Sequence, residues 1–161
     1  MKPAVVNASP LIVLGRAGLL ELLPSIFSSI VVPRVVVEEI AAGAVDDPLN
    51  ALLSGSRWLS VVETNALLSP LAFARLGRGE TEVLEYARTH AGTVAVLDDK
   101  AARRAAGMLR LPLTGTLGVL AAAFEAGCLP SFTGGVAAVV QAGLYVDPVI
   151  AAELGARLKA P

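Results

Sequence analysis

Four short polar segments lie where predicted strands end or predicted helices begin. Two of them, residues 7–10 and 98–99, directly follow apolar runs at residues 4–6 and 94–97. The four segments are Asn-Ala-Ser-Pro at 7–10, Glu38-Glu39, Gly79-Glu80 and Asp98-Asp99. Because the carboxyl ends of parallel strands face one common crevice, we expect these segments to direct oxygen atoms into a single pocket.

The chemistry of such a pocket is that of a hard divalent cation. Clustered carboxylates repel one another unless a cation neutralises them, and Mg²⁺ and Mn²⁺ prefer an environment made of oxygen atoms. The spacing therefore predicts that Glu39, Glu80 and the pair Asp98-Asp99 converge on a metal site.

Each of these acids also has a simpler structural explanation. Glu39 and Glu80 lie near the starts of predicted helices, where a carboxylate gains from the helix dipole. An aspartate after a strand commonly caps the following helix, so capping alone explains one of Asp98 and Asp99. A second acid beside it is unfavourable unless a cation or a hydrogen-bond donor compensates its charge. The helical phase does not decide between Glu38 and Glu39.

Basic and hydroxyl side chains near these acids are candidates for binding a phosphate-bearing substrate. Lys100 and Arg103 follow the aspartate pair, and Thr114 and Thr116 lie at a predicted helix start. The basic side chains would contact RNA phosphates, although solvated helix faces explain them as well. The threonines would either cap their helix, which is the favoured interpretation, or hold a phosphate at its N-terminus.

Strands alternate with helices along the chain, which predicts right-handed βαβ units and a parallel sheet. In the first unit Ser9 is expected to cap a helix whose first residue is Pro10. The stretch 64–79 is the least regular part. The predicted strands are 5–6, 29–32, 58–62 as an edge strand, 93–97 and 111–113; the predicted helices lie at 10–15, 18–23, 33–43, 46–53, from 80, from 99, 114–127, 131–142 and 148–158.

Length and composition indicate one core-rich globular domain. The 161 residues are 55% hydrophobic and 17% charged, which excludes a disordered chain, and the net charge of −1 argues against bulk electrostatic adhesion to nucleic acid or membrane. One cysteine fits a reducing cytoplasm, so a cytoplasmic location is expected. The sequence has no Walker loop, and no Gly-x-Gly-x-x-Gly motif follows the first strand, so nucleotide-binding folds of these two types lose support.

The C-terminal third is unusually apolar. Mean hydropathy is +0.68 for the whole chain, and between residues 111 and 146 only Glu125 is charged. We expect this surplus to be buried by self-association or by a partner, because large exposed apolar patches mark interaction sites. Pro130 and the pair Gly134-Gly135 interrupt the uncharged stretch 126–146, so no membrane span is expected there.

Taken together, the segments resemble PIN-like proteins, most closely the bacterial branch related to toxins of VapBC-type toxin–antitoxin pairs. The resemblance spans about residues 5–129. It rests on Val-Val-Asn-Ala-Ser-Pro-Leu-Ile from residue 5, Val-Pro-Arg-Val-Val-Val-Glu-Glu-Ile from 32, Leu-Gly-Arg-Gly-Glu-Thr-Glu from 76, Val-Leu-Asp-Asp-Lys-Ala-Ala-Arg-Arg from 96 and Leu-Thr-Gly-Thr-Leu-Gly-Val-Leu from 113.

The resemblance implies a three-layer α/β/α sandwich with a central parallel sheet, formed by residues 1–161 as a single domain with a helical C-terminal part from about 131. It implies a Mg²⁺- or Mn²⁺-dependent ribonuclease whose partners are RNA, a small antitoxin protein and further copies of itself. It places the catalytic acids at Glu39, Glu80, Asp98 and Asp99, a further metal ligand at Asn7, and substrate-binding groups at Ser9, Lys100, Arg103, Thr114 and Thr116.

The chain departs from that pattern at Asn7, where the family usually has aspartate. An amide oxygen is an uncharged and weaker metal ligand, so the departure implies a slower nuclease, a site that needs more metal, or lost catalysis. The alternative function is a catalytically silent module that binds RNA or a protein partner. A receiver-like or phosphohydrolase domain also clusters acids at strand ends, but Asn7 removes its first candidate phosphate acceptor.

Overall fold

Short runs of β-branched and apolar residues form the sheet. The computed structural model describes residues 1–43, 55–65 and 75–159. In those residues the strands are β1 Ala4–Val6, β2 Ile30–Pro33, β3 Leu59–Val62, β4 Val94–Val96 and β5 Leu113–Thr114. They form one five-stranded sheet in the order β3-β2-β1-β4-β5, and every neighbouring pair is parallel. The predicted parallel sheet is confirmed.

Helices cover both faces of this sheet, which makes the fold an α/β/α sandwich. The connection from β1 to β2 and that from β3 to β4 cross the sheet in opposite directions, so right-handed crossovers place their helices on opposite faces. The helices of the described residues are α1 Ala8–Arg16, α2 Leu22–Ile26, α3 Arg34–Gly43, α4 Arg78–Thr89, α5 Lys100–Met108, α6 Thr116–Glu125, α7 Phe132–Gln141 and α8 Pro148–Lys159. Helix α2 packs on α6, and α4 packs on α5.

The core lies between these layers and is centred on β1. All three residues of β1 are fully buried, as expected for a strand that helices cover on both faces. Leu14, Leu84, Leu97 and Leu120 are also fully buried and bring α1, α4, the end of β4 and α6 into one cluster. This core fixes the ends of β1 and β4 side by side, because Val6 pairs with Val96.

The start of α1 differs from the expectation. The helix begins at Ala8 with Asn7 as the N-cap residue, so the prediction that Ser9 caps it and Pro10 opens it was wrong by two residues. Pro10 is tolerated in the first turn because the first N–H groups of a helix have no intrahelical partner. The Asn7 side chain makes no capping hydrogen bond and is left available for another contact.

The start of α6 is a second correction. Thr114 belongs to β5, and the N-cap residue of α6 is Gly115, which has no side chain to cap with. The expected threonine cap is therefore absent from this helix, and the donor groups of its first turn need another acceptor.

Two further predictions concern residues that the structure does not describe, at least in part. The predicted helix 46–53 and most of the irregular stretch 64–79 lie outside them. Among the helices that are described, none is long and apolar enough to cross a membrane, and the uncharged window 126–146 contains only the ten residues of α7 as helix.

Candidate active site

Asn7 occupies the carboxyl end of the central strand β1. Its backbone is extended (φ −85°, ψ 171°), and only 3% of the residue is exposed. Its Nδ2 donates a hydrogen bond of 3.2 Å to Oε1 of Glu80 in the first turn of α4. Its Oδ1 is buried and has no hydrogen-bond partner. A buried amide oxygen without a partner costs free energy, so a positive group or a hydrogen-bond donor would be stabilised next to this atom.

Gly79 joins Asn7 to a second glutamate. Its backbone N–H donates to Oε1 of Glu39 at 3.0 Å, which satisfies one of the unpaired donors at the start of α4. A Cβ atom on Gly79 would lie 2.4 Å from Oε2 of Glu39 and 3.0 Å from Oδ1 of Asn7. Because Gly79 has no Cβ atom, an oxygen atom of Asn7 and one of Glu39 both border the space beside its Cα, which is called the gap below.

The structure distinguishes Glu39 from its neighbour Glu38. Glu38 lines a separate groove of about 80 Å³ with Arg34 and Arg78, whereas Glu39 contacts Gly79. Arg34 is paired with Glu63 in that groove, and the hydrogen bond and charge of Glu63 raise the pKa of its guanidinium. Of the two adjacent glutamates, it is Glu39 that lies beside Asn7.

Asp98 is held by the start of α6. Its Oδ1 accepts the backbone N–H of Thr116 at 2.7 Å, and its Oδ2 accepts the Thr116 hydroxyl at 2.6 Å. Thr116 is fully buried, and its hydroxyl contacts a carboxylate of the protein itself, whereas the family resemblance had implied a contact with substrate. The Arg103 guanidinium donates from Nη1 to the carbonyl of Leu97 at 2.9 Å, next to Asp98. Asp98, the acid beside the helix-capping Asp99, therefore has the hydrogen-bond donors that its charge requires.

The remaining predicted residues lie at the starts of α1 and α5 and at the end of β5. Asp99 is the N-cap residue of α5, and its Oδ1 accepts the N–H of Ala102 at 2.9 Å. Lys100 is exposed at the first position of α5. Ser9 lies in the first turn of α1, and the Thr114 hydroxyl makes a long contact of 3.4 Å with the carbonyl of Gly115.

Three of the four predicted acids therefore accept an N–H from the first turn of a helix. Glu39 accepts from the first turn of α4, Asp98 from that of α6 and Asp99 from that of α5. Helix N-termini carry partial positive charge, so these contacts stabilise the carboxylates without a cation. In the described part of the chain, no three acidic, cysteine or histidine side chains lie close enough together to hold a metal ion by themselves. Glu39 and Glu80 meet with an amide, Asn7, between them.

Sequence comparison identifies the family. A family model described as DUF3368: PIN domain matches residues 3–159. The chain belongs to the PIN-domain family. A PIN domain is a nuclease-type fold, and PIN domains generally depend on a divalent metal. No curated protein and no solved structure gives a match to this chain.

The residues of this PIN domain fit a divalent cation. The test is the orphaned Oδ1 of Asn7, which faces the same gap as a carboxylate oxygen of Glu39, with Glu80 beside it. All three are oxygen donors, the type that Mg²⁺ and Mn²⁺ select. Two contacts of the site were not predicted from the sequence, that of Gly79 with Glu39 and that of Asp98 with Thr116. The segments that could have indicated them are Gly-Arg-Gly-Glu at 77–80 and Thr-Gly-Thr at 114–116.

Proposed function

We propose that this protein is a Mg²⁺- or Mn²⁺-dependent ribonuclease that hydrolyses phosphodiester bonds of RNA. The observation that carries the proposal is the buried Asn7 Oδ1 at the carboxyl end of β1, which lacks a partner and borders the same space as Oε2 of Glu39, while Nδ2 of the same side chain contacts Glu80. The crevice at the carboxyl ends of parallel strands is where open α/β folds bind their ligands. Membership of the PIN-domain family supports the same reaction class.

Each group of the site has a role in this proposal. Asn7 and Glu39 would hold a cation, with Glu80 hydrogen-bonded to the Asn7 amide beside them. When bound, the cation would supply the Lewis-acid chemistry that phosphodiester hydrolysis needs. One of the two glutamates accepts the proton of the attacking water. Lys100 and Arg103, at the start of α5, contact phosphate oxygens of the RNA backbone. Asp98, bound by Thr116, keeps the end of β4 in position, and the carbonyl of Leu97 at that end holds the Arg103 guanidinium.

An RNA cleavage assay with matched glutamine variants tests the proposal. We expect wild-type protein to cleave single-stranded RNA with Mn²⁺ and to stop when EDTA is added. Glu39→Gln should lower the rate by about 100-fold, the upper end of what is lost when groups around a metal are changed. Glu38→Gln is the matched control, since it lies one residue away in the separate groove, and it should retain the wild-type rate. Equal rates for both variants would remove Glu39 from the site.

A catalytically silent module that binds RNA or a protein is the second candidate. The observation that favours it is Asn7 itself, which replaces a charged ligand and already hydrogen-bonds Glu80. The same assay separates the two functions. Retention of labelled RNA in a gel-shift experiment, with no cleavage at any Mn²⁺ concentration, would favour the silent module.

We further propose that the protein is the toxin of a toxin–antitoxin pair and that it self-associates through its C-terminal helices. Four large apolar side chains of α7, α8 and the segment between them are exposed: Val140 by 48%, Tyr145 by 82%, Val149 by 64% and Ile150 by 55%. Such a set is typical of a protein interface. Co-expression with the product of a small neighbouring open reading frame would test the antitoxin part of the proposal.

Light scattering tests the self-association part. We expect wild-type protein to form a dimer or a larger assembly. The double variant Tyr145→Ser/Ile150→Ser should weaken association by about 2 kcal/mol or more, since aromatic side chains often dominate interfaces. Met108→Ser is the control, because Met108 is equally exposed but lies on α5. A wild-type protein that stays monomeric at high concentration would contradict this prediction.

A further inference from the structure

The carboxamide of Asn7 lies between two glutamates and differs at its two ends. The NH₂ group contacts Glu80, since Nδ2 donates to Oε1 at 3.2 Å and an ionised carboxylate can only accept. The oxygen end then faces the gap beside Gly79, which Oε2 of Glu39 also faces. On the Glu80 side the amide has an acceptor for its NH₂ group, whereas on the Glu39 side its oxygen has no donor.

The charges of the site follow the same division. Asp98 accepts two hydrogen bonds from Thr116 and lies beside the Arg103 guanidinium, and Asp99 accepts one from the first turn of α5. These two carboxylates are therefore compensated by the protein. Glu39 and Glu80 remain, with two negative charges that one divalent cation balances. Asn7, being neutral, adds no third charge.

We propose that this protein binds one divalent cation and not two, with the cation on the side of Asn7 Oδ1 and Glu39, while the amide NH₂ of Asn7 takes the place of a second cation at Glu80. The inference rests on the proposed function for the kind of metal, and on the orphaned buried Oδ1 for its position. An aspartate at position 7 would have no N–H to offer Glu80 and would bring a third negative charge. Asparagine at this position therefore limits the number of cations that the site takes up.

Titration with Mn²⁺, followed by calorimetry and by the electron paramagnetic resonance signal of free Mn²⁺, tests the stoichiometry in the unmodified protein. We expect one site per chain. Glu39→Gln should weaken Mn²⁺ binding by about 100-fold and Glu80→Gln by about tenfold or less, because only Glu39 shares the gap with Asn7 Oδ1. Glu38→Gln should bind like wild type. Two equivalent sites in the wild-type protein, or a larger loss for Glu80→Gln than for Glu39→Gln, would overturn the inference.

The variant Asn7→Asp supplies the converse test. It should bind the first Mn²⁺ at least about tenfold more tightly, because a carboxylate replaces a neutral amide. It should also show a second, weaker site, because the charge of Glu80 is no longer offset by an N–H from residue 7. Circular dichroism and thermal unfolding in EDTA verify that the variant is folded. If the folded variant takes up a single cation with unchanged affinity, the proposed role of the amide is wrong.

The metal experiments and the cleavage assay fail independently. One bound Mn²⁺ without RNA cleavage would sustain the inference and overturn the ribonuclease proposal. Two bound Mn²⁺ with cleavage would do the reverse. No Mn²⁺ binding at millimolar concentration would overturn the inference, and persistence of RNA cleavage in EDTA would then decide whether a metal-independent nuclease function survives.

Discussion

Replacing Gly79 by alanine is expected to disable the candidate site while leaving the fold intact. A Cβ atom there would lie 2.4 Å from Oε2 of Glu39 and 3.0 Å from Oδ1 of Asn7, so one of these groups must move. Asn7 is buried and tied to Glu80, whereas Glu39 is exposed at the end of a flexible side chain. Glu39 will therefore move out of the gap, and we expect Mn²⁺ affinity and RNA cleavage to fall by about 100-fold.

The stability of this variant should hardly change. Alanine gains about 1 kcal/mol over glycine in a helix, and loss of the Glu39–Gly79 hydrogen bond costs about 1 kcal/mol. Urea unfolding in EDTA measures the difference, which we expect to be within about 1 kcal/mol of zero. Gly107→Ala is the matched control: Gly107 lies in α5 with open space around its Cβ position, so alanine should stabilise the protein and leave metal affinity unchanged. Wild-type metal affinity in Gly79→Ala would place the cation elsewhere.

The parallel sheet could be predicted because its signals are local. The apolar runs at 4–6 and 94–97 are each followed at once by a polar group, and a strand covered on both faces reads as a continuous apolar run. The same local signals predict that Asn7 and the aspartate pair lie at strand ends. The order of strands and the right-handed crossovers then bring those ends to one edge of the sheet.

The contacts between these groups could not be predicted, because they join residues far apart in the chain. Gly79 and Glu39 are separated by 40 positions, and Asp98 and Thr116 by 18. Each pair joins different elements of the fold, and periodicity describes only residues within one helix or strand, so it carries no information about either pair. The cap of α1 shows the reverse failure: Ser9-Pro10 is a strong local signal for a helix start, but the geometry at the end of β1 starts the helix at Ala8.

The dual use of the acids also explains why their sequence pattern was ambiguous. A carboxylate at a helix start is expected both for a cap and for a metal ligand, and Glu39 here caps α4 while its second oxygen faces Asn7. Asp99 caps α5 in the ordinary local way, three residues before the donor. Asp98 caps a helix that begins 18 residues later. The contacts of Glu39 and Asp98 each join two elements of the fold, whereas the contact of Asp99 lies within one turn of the chain.

That difference predicts unequal effects for the two adjacent aspartates. In Asp98→Ala the N–H and the hydroxyl of the fully buried Thr116 both lose their acceptor, and each unsatisfied buried donor costs about 1–3 kcal/mol. We expect the free energy of unfolding to fall by about 3 kcal/mol or more. Asp99→Ala removes one exposed helix cap and should cost about 1 kcal/mol.

Urea unfolding of both variants in EDTA measures the two losses without any contribution from bound metal. Asp98→Asn is the control for shape, because its amide oxygen still accepts the Thr116 N–H and its NH₂ can donate to the hydroxyl, which then acts as acceptor. This variant should stay within about 1 kcal/mol of wild type. Equal losses in Asp98→Ala and Asp99→Ala would contradict this prediction. So would an Asp98→Asn variant as unstable as Asp98→Ala, because the hydrogen bonds between Asp98 and Thr116 would then not be the source of the loss. A clearly larger loss in Asp98→Ala than in Asp99→Ala would instead identify Asp98 as the residue that fixes the start of α6 to the edge of the sheet where Asn7, Glu39 and Glu80 lie.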